Sequence, residues 1–285
     1  MGTVVITGAT SGIGLETARE LAKKGFHVLG VGRTAENCAK ARASILSEYP
    51  DAIITYFTAD LMQQREVLRV AAELTAYLNE RCGGMLNVLI NNAGCARSWY
   101  MTTYEGYEQQ FALNYLAGFL LTHELLPLLT KARGRVIMTG SGSHKGIRVR
   151  WDDVMLQRGY NPLTAYKQSK LCCMLLARGL NDRCGASGVR AYVVDPGLVN
   201  TDIGGKAGGI VSFVWKFRRR RGMPPAAAAG TFVFLCAQEA APQGFCYRLC
   251  REIACSGQVT GANAGRLFAL SERLCGFSRG KGDAA

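Results

Sequence analysis

Short apolar runs alternate along the chain with segments whose apolar residues fall three and four apart. Val4–Thr7 is an apolar run of strand length, and Ile13–Lys24 follows with Ile13, Ala18, Leu21 and Ala22 at helical spacing before Gly25 stops it. Val28–Val31 predicts a second strand, Glu36–Glu48 a helix ended by Pro50, and Ile53–Phe57 a third strand. Val67, Val70, Ala71, Leu74 and Leu78 stripe the next helix. Leu86–Ile90 predicts a fourth strand, Tyr107–Leu129 a long helix, and Arg135–Thr139 a fifth strand. Thr164–Arg183 reads as another helix and Arg190–Val194 as a sixth strand. Strands that alternate with helices imply one α/β domain: a doubly wound parallel sheet with helices on both faces, joined by right-handed crossovers.

The rhythm breaks after Pro196. Residues 201–229 are first Gly-rich, then aromatic, then basic, then Ala-rich. Thr231–Gln238 reads as helix, Phe245–Arg248 as a seventh strand and Asn263–Cys275 as a final helix. No repeat or low-complexity linker divides the 285 residues, so a single domain is expected.

Charge and cysteine usage narrow the picture. The net charge of +13 favours anionic partners such as a phosphorylated cofactor, or is simply a basic surface. The densest run, Arg218–Arg221, is local and does not interleave with aromatics, so no nucleic-acid partner is expected. The eleven cysteines are scattered and odd in number, and no leader-like segment precedes the first strand. That combination predicts reduced thiols and a cytoplasmic location. No apolar run approaches the roughly 20 residues that span a bilayer. His27, His123 and His144 lie far apart and Cys246 falls in a predicted strand, so no metal site is expected.

Two clusters carry chemistry. Thr7-Gly8-Ala9-Thr10-Ser11-Gly12-Ile13-Gly14 joins the first strand to the first helix. Its glycines suit a tight turn that brings backbone N–H groups and a helix N-terminus to a pyrophosphate. The second strand ends in Gly32-Arg33, with no carboxylate to bind a ribose 2′-hydroxyl. Arg33 is either a partner for a 2′-phosphate, which points to NADP with NAD as the other option, or a solvated surface arginine. Asp60 either accepts from an adenine amino group or caps the following turn. The second cluster is Tyr166 and Lys170, which share a helix face four residues apart. The ammonium is expected to lower the phenol pKa and make Tyr166 an acid/base group. Ser141, with Ser143 as a rival, follows the fifth strand, and Asn91-Asn92-Ala93-Gly94 follows the fourth at the same edge. Asn114 sits inside the long helix, where a buried amide needs partners.

Taken in order, these motifs resemble the short-chain dehydrogenase/reductase family. The resemblance rests on Thr7-Gly8-x-x-x-Gly12-Ile13-Gly14, Asp60-Leu61, Asn91-Asn92-Ala93-Gly94, Asn114, Ser141, Tyr166-x-x-x-Lys170 and Pro196-Gly197 with Thr201, and covers residues 1 to about 202. It implies a Rossmann-type sheet. It also implies an oxidoreductase in which Ser141 orients a carbonyl, Tyr166 gives or takes the proton, Lys170 holds the nicotinamide ribose, and Asn114 supports a water relay. Ser11, Leu61, Asn92, Ala93 and Gly94 are then cofactor contacts, and Pro196, Gly197, Val199 and Thr201 lie at the nicotinamide end. His144, the gap from Ser141 to Tyr166, Trp151-Asp152-Asp153 and Leu270-Ser271-Glu272-Arg273-Leu274 are similar to the retinol-dehydrogenase-like branch.

The resemblance divides the chain into a core (1–202), a substrate lid (about 203–230) and a C-terminal strand and helix (231–285). Ile210–Phe217 with Arg218–Arg221 suits a lid over a lipophilic substrate, a contact with anionic membrane headgroups, or a homo-oligomer contact. Trp99, Tyr100, Trp151 and Trp215 suggest an aromatic pocket. The expected activity is hydride transfer between NADP(H) and a ketone, aldehyde, sterol or retinoid-like alcohol. The alternative on the same fold is a catalytically silent dinucleotide sensor.

Overall fold

The computed structural model describes residues 2–199 and 222–277. Thr201 and the 210–221 segment lie outside the described residues. Among the described residues one sheet has eight strands in the order β3-β2-β1-β4-β5-β6-β7-β8. The strands are β1 Thr3–Thr7, β2 His27–Gly32, β3 Ile54–Thr58, β4 Val88–Asn91, β5 Arg135–Thr139, β6 Arg190–Val194, β7 Cys246–Arg248 and β8 Arg251–Glu252. All neighbouring pairs are parallel except β7 with β8. The order reverses beside β1, where an open α/β sheet leaves a crevice at the carboxyl ends of its strands.

The central strands show no apolar–polar alternation because helices cover both faces. Every residue of β1 is buried. Val4, Ile6, Val88, Ile90 and Ile137 face one core, which α1 (Gly12–Lys23) helps to close; Val5, Leu29, Leu89 and Val136 face the other, under α3 (Gln64–Arg81). Between β2 and β3 runs α2 (Ala35–Glu48), capped by Thr34. The long helix α4 spans Gln109–Ala132, with a π turn at Ala112–Leu116. By length and composition α4 could cross a bilayer, but 67% of its apolar window is packed inside the molecule, which makes it a core helix.

The helix α5, Pro162–Cys184, starts sharply: Pro162 occupies its first turn and Asn161 Oδ1 accepts from the N–H groups of Leu163 and Thr164, both at 3.0 Å. The last helices are α6 (Pro225–Ala237) and α7 (Gly261–Leu274). Three features depart from the sequence reading. Helix α6 begins at Pro225, ahead of the expected Thr231, because Pro suits a helix's first turn and the Ala run propagates it. The two-residue strand β8 is new. The π turn in α4 carries no periodic signature.

Candidate active site

The turn after β1 has the backbone that its glycines permit. Gly8 and Gly12 adopt φ of +67° and +55°. A Cβ at Gly14 would sit 2.2 Å from the Gly8 carbonyl and 2.6 Å from Asn92 Nδ2, so this position admits only hydrogen. Ser11 heads α1 with extended backbone, and its side chain caps nothing. The first-turn N–H groups of α1, which have no intrahelical acceptors, are thus left without a side-chain cap, as an anion site requires.

Three side chains hold this turn to the sheet. Tyr56 donates its hydroxyl hydrogen to the Ala9 carbonyl at 2.9 Å. Thr7 Oγ1 accepts from the N–H groups of Asn92 and Ala93, at 2.9 and 3.0 Å, which locks the β4 loop against the β1 turn. Asn92 Nδ2 returns a bond to the Thr7 carbonyl at 3.1 Å.

At the end of β2, Arg33 is exposed and has no ion-pair partner among the described residues. Nearby Lys40 is engaged by Glu36 at 2.5 Å, and the Thr34 hydroxyl caps α2 by accepting from Asn37 N–H. Arg33 and, across its exposed pair with Glu36, Lys40 are the cations the described residues place at this strand end. Asp60 accepts from Met62 N–H at 3.2 Å and from the Gln63 side chain at 3.3 Å, so the capping role is the one the fold displays. Leu61 beside it is buried.

Ser141, Tyr166, Lys170 and Asn114 converge beyond the carboxyl ends of β4 and β5. The Ser141 hydroxyl favours ionisation of the Tyr166 phenol beside it. It also accepts from Ser143 Oγ at 2.9 Å and Ser143 N–H at 3.2 Å, so Ser143 supports Ser141 instead of competing with it. Lys170 is buried, donates to the Thr139 carbonyl at 2.9 Å, and places Nζ 5.8 Å from the Tyr166 ring centre. Gly94 gives this cluster its room, since a Cβ there would approach Asn114 Oδ1 to 2.9 Å.

One expectation changes. Burial pushes the Tyr166 phenol up from its ordinary value; Lys170, then Ser141, pull it down but do not outweigh desolvation. The ammonium acts in the expected direction without deciding the net shift. The Asn114 side chain is firmly held: Oδ1 accepts from Cys95 N–H at 2.7 Å, while Nδ2 donates to the Cys95 carbonyl at 3.0 Å and to Ser169 Oγ at 2.9 Å. It fastens the β4 loop to α5. Past β6, Gly197 has φ of +71° and its N–H bonds Asp195, while Val199 bridges Met223. This fixes the Pro196–Val199 strip at the same edge.

A family model for short chain dehydrogenases matches residues 2–208, the span that holds the glycine turn, Arg33, Asp60, Asn114, Ser141, Tyr166, Lys170 and the Pro196–Val199 strip. The chain belongs to the short-chain dehydrogenase family. Human retinol dehydrogenase 13 is 36% identical over 208 residues, covering 72% of this chain and 61% of that protein. Human polyprenol dehydrogenase is 34% identical, covering 70% and 61%. The chain thus spans about three-fifths of the length of these relatives, and the likeness to the retinol-dehydrogenase-like branch holds. A solved Mycobacterium paratuberculosis protein is 29% identical with a TM-score of 0.73, covering 97% of this chain and 94% of that one. A Sphingobium yanoikuyae short-chain dehydrogenase in complex with NADPH shares the fold, with a TM-score of 0.67 at 23% identity and coverage of 100% and 98%.

Within this short-chain dehydrogenase, sequence reasoning missed several supporting groups. Tyr56 gave no signal, because a strand tyrosine is ordinary. Glu108 is buried, caps α4 through Phe111 N–H at 2.7 Å and accepts from the Tyr160 hydroxyl at 3.0 Å, tying the loop after β4 to the loop after β5. Trp151 packs under the Arg266 guanidinium, 4.6 Å from its ring centre, so it is engaged by α7. Trp99 is 59% exposed in the loop after β4, and Tyr100 meets Tyr160 edge-on.

Proposed function

We propose that this short-chain dehydrogenase moves a hydride between NADP(H) and the carbonyl or alcohol carbon of a lipophilic substrate. The observation that carries the proposal is the convergence of Ser141 and buried Lys170 on the Tyr166 phenol, at the sheet edge that also carries the glycine turn. The turn fits a dinucleotide: Gly8 and Gly12 take positive φ, and the N-terminus of α1 carries no side-chain cap. Bound NADPH would supply the hydride.

In the reducing direction Tyr166 donates its proton to the substrate oxygen while the Ser141 hydroxyl hydrogen-bonds and orients that oxygen. Lys170 stabilises the phenolate that remains, and the Thr139 carbonyl holds the ammonium in place. Asn114 acts by positioning Cys95 and Ser169. Residues Ser11 to Gly14 take the pyrophosphate, and Arg33 pairs with the 2′-phosphate. Asp60 and Leu61 border the adenine; Asn92 to Gly94 and Pro196 to Val199 border the nicotinamide half. Support for a lipophilic substrate comes from the exposed Trp99, Tyr100 and Met101 in the loop after β4 and from relatives named for retinol and polyprenol. A screen of ketones, aldehydes, sterols and retinoids at fixed NADPH tests the proposal: consumption of NADPH with lipophilic carbonyls is expected, and none across the panel would overturn it.

A further inference from the structure

His144 is almost fully buried, with 1% exposure, in the short 3-10 turn Gly142–His144 that follows Ser141. Its ring makes one bond in each direction. Nδ1 lies 2.6 Å from the Ser141 carbonyl oxygen, and the backbone N–H of Ser256 reaches Nε2 at 3.3 Å. A carbonyl only accepts and a backbone N–H only donates, so both bonds together require a neutral ring protonated at Nδ1. The same carbonyl also accepts from His144 N–H at 3.1 Å. Both lone pairs of the Ser141 carbonyl are therefore held by His144, one by its backbone and one by its ring.

The partner at the far side of the ring belongs to the C-terminal part of the chain. Ser256 lies between β8 and α7, in a loop held by Val259 N–H to the Ser256 carbonyl at 3.0 Å and Gln258 N–H to Ser256 Oγ at 3.2 Å. Helix α7 packs on α5, with Phe268 against Gly179 and the Arg183 guanidinium 4.2 Å over the Phe268 ring. It also bonds the π turn that carries Asn114, through Ser271 Oγ and the Tyr115 hydroxyl at 2.6 Å. The loop that holds the ring is thus part of a packed body that also supports Asn114 and the helix of Tyr166 and Lys170.

We infer that His144 is a positioning residue for Ser141: its Nδ1–H fixes the serine's backbone, and its Nε2 fastens that backbone to the C-terminal loop at Ser256. The inference rests on the proposed role of Ser141. A serine hydroxyl that must meet both the phenol and a substrate oxygen tolerates little displacement, and a misplacement of about 1 Å can cost about a hundredfold in rate. Ser143 steadies the hydroxyl from the side-chain end, whereas His144 steadies the main chain from which it projects.

Three variants and one spectrum test this. An Asn amide nitrogen can occupy the place of Nδ1 and keep the bond to the Ser141 carbonyl. A Gln amide oxygen can take the place of Nε2 and keep the bond from Ser256 while losing that donor. His144→Phe should lower kcat by about ten- to a hundredfold with little change in the KM for NADPH. His144→Asn should recover most of that loss, and His144→Gln should not. Asn as slow as Phe, or Gln and Phe both at the unmodified rate, would overturn the inference. If the Phe variant fails to fold, the Asn and Gln pair still decides. Histidine nitrogen NMR of the unmodified protein provides a readout independent of activity: the signal lost in His144→Asn should report a proton on Nδ1 and a bare Nε2. A proton on Nε2 would overturn the inference whatever the rates, whereas the expected tautomer in a protein that reduces no carbonyl would sink only the proposed activity.

Discussion

At Tyr166 two physical effects oppose each other: burial penalises the phenolate, while Lys170 and Ser141 favour it, and burial prevails. Carbonyl reduction needs the protonated phenol, so its rate is present below the Tyr166 pKa and lost as pH rises through it. Because the folded pKa is raised, kcat/KM for reduction should stay level through neutral pH and fall only in the alkaline range. Alcohol oxidation needs the phenolate and should rise with pH. Removing the ammonium in Lys170→Ala should move the alkaline fall further up; a fall near neutral pH in the unmodified protein would contradict the assignment. At the other end of the site, the proposed partner of the 2′-phosphate is Arg33. Aspartate at position 32 is an unsuitable test of cofactor choice, because a Cβ on Gly32 would lie 2.4 Å from Thr10 Cγ2 and 2.6 Å from Cys38 Sγ. Arg33→Ala is the cleaner change. Charge-assisted bonds are worth about 1.5–3 kcal/mol, but this side chain is exposed and screened, so the NADPH-over-NADH ratio of specificity constants should fall by about tenfold at low salt. An unchanged ratio would make Arg33 a surface residue.

At the scale of elements, the site depends on how α5 starts and where it packs. Asn161 satisfies two of its first N–H groups, so Asn161→Ala should cost about 1 kcal/mol of stability, read as a lower denaturation midpoint. Gly179 lets α7 approach closely: a Cβ there would lie 2.3 Å from the Phe268 ring. Gly179→Ala should destabilise by about 1–3 kcal/mol through overpacking, and an unshifted midpoint would show that α7 is loosely seated. The strands and helices of the first two hundred residues were legible because covered parallel strands read as apolar runs and their helices carry a striped face. Strand β8 was not: Arg251 and Glu252 are polar, exposed and only two residues long, and they pair because β7 turns back on itself. The π turn was hidden because it extends the same apolar stripe. The glycine turn, Ser141, Tyr166 and Lys170 were readable from spacing and order. The ring of His144 was not, since its partner Ser256 lies 112 positions away and only the fold brings them together.

The molecule as a whole is a sheet whose reversal point beside β1 gathers groups from many elements at one edge. The turn after β1, the loops after β4 and β5, the first turns of α5 and the strip after β6 meet there, and α7 braces the arrangement from behind. The central claim is that this edge performs proton-coupled hydride transfer through Tyr166. The most direct measurement compares the unmodified chain with Tyr166→Phe, which keeps the ring and removes only the hydroxyl. NADPH affinity is measured by titration and turnover with a lipophilic carbonyl that the unmodified chain reduces. The account predicts unchanged folding, retained NADPH binding and turnover lowered by about two to four decades. Turnover by Tyr166→Phe within a few-fold of the unmodified rate would contradict it.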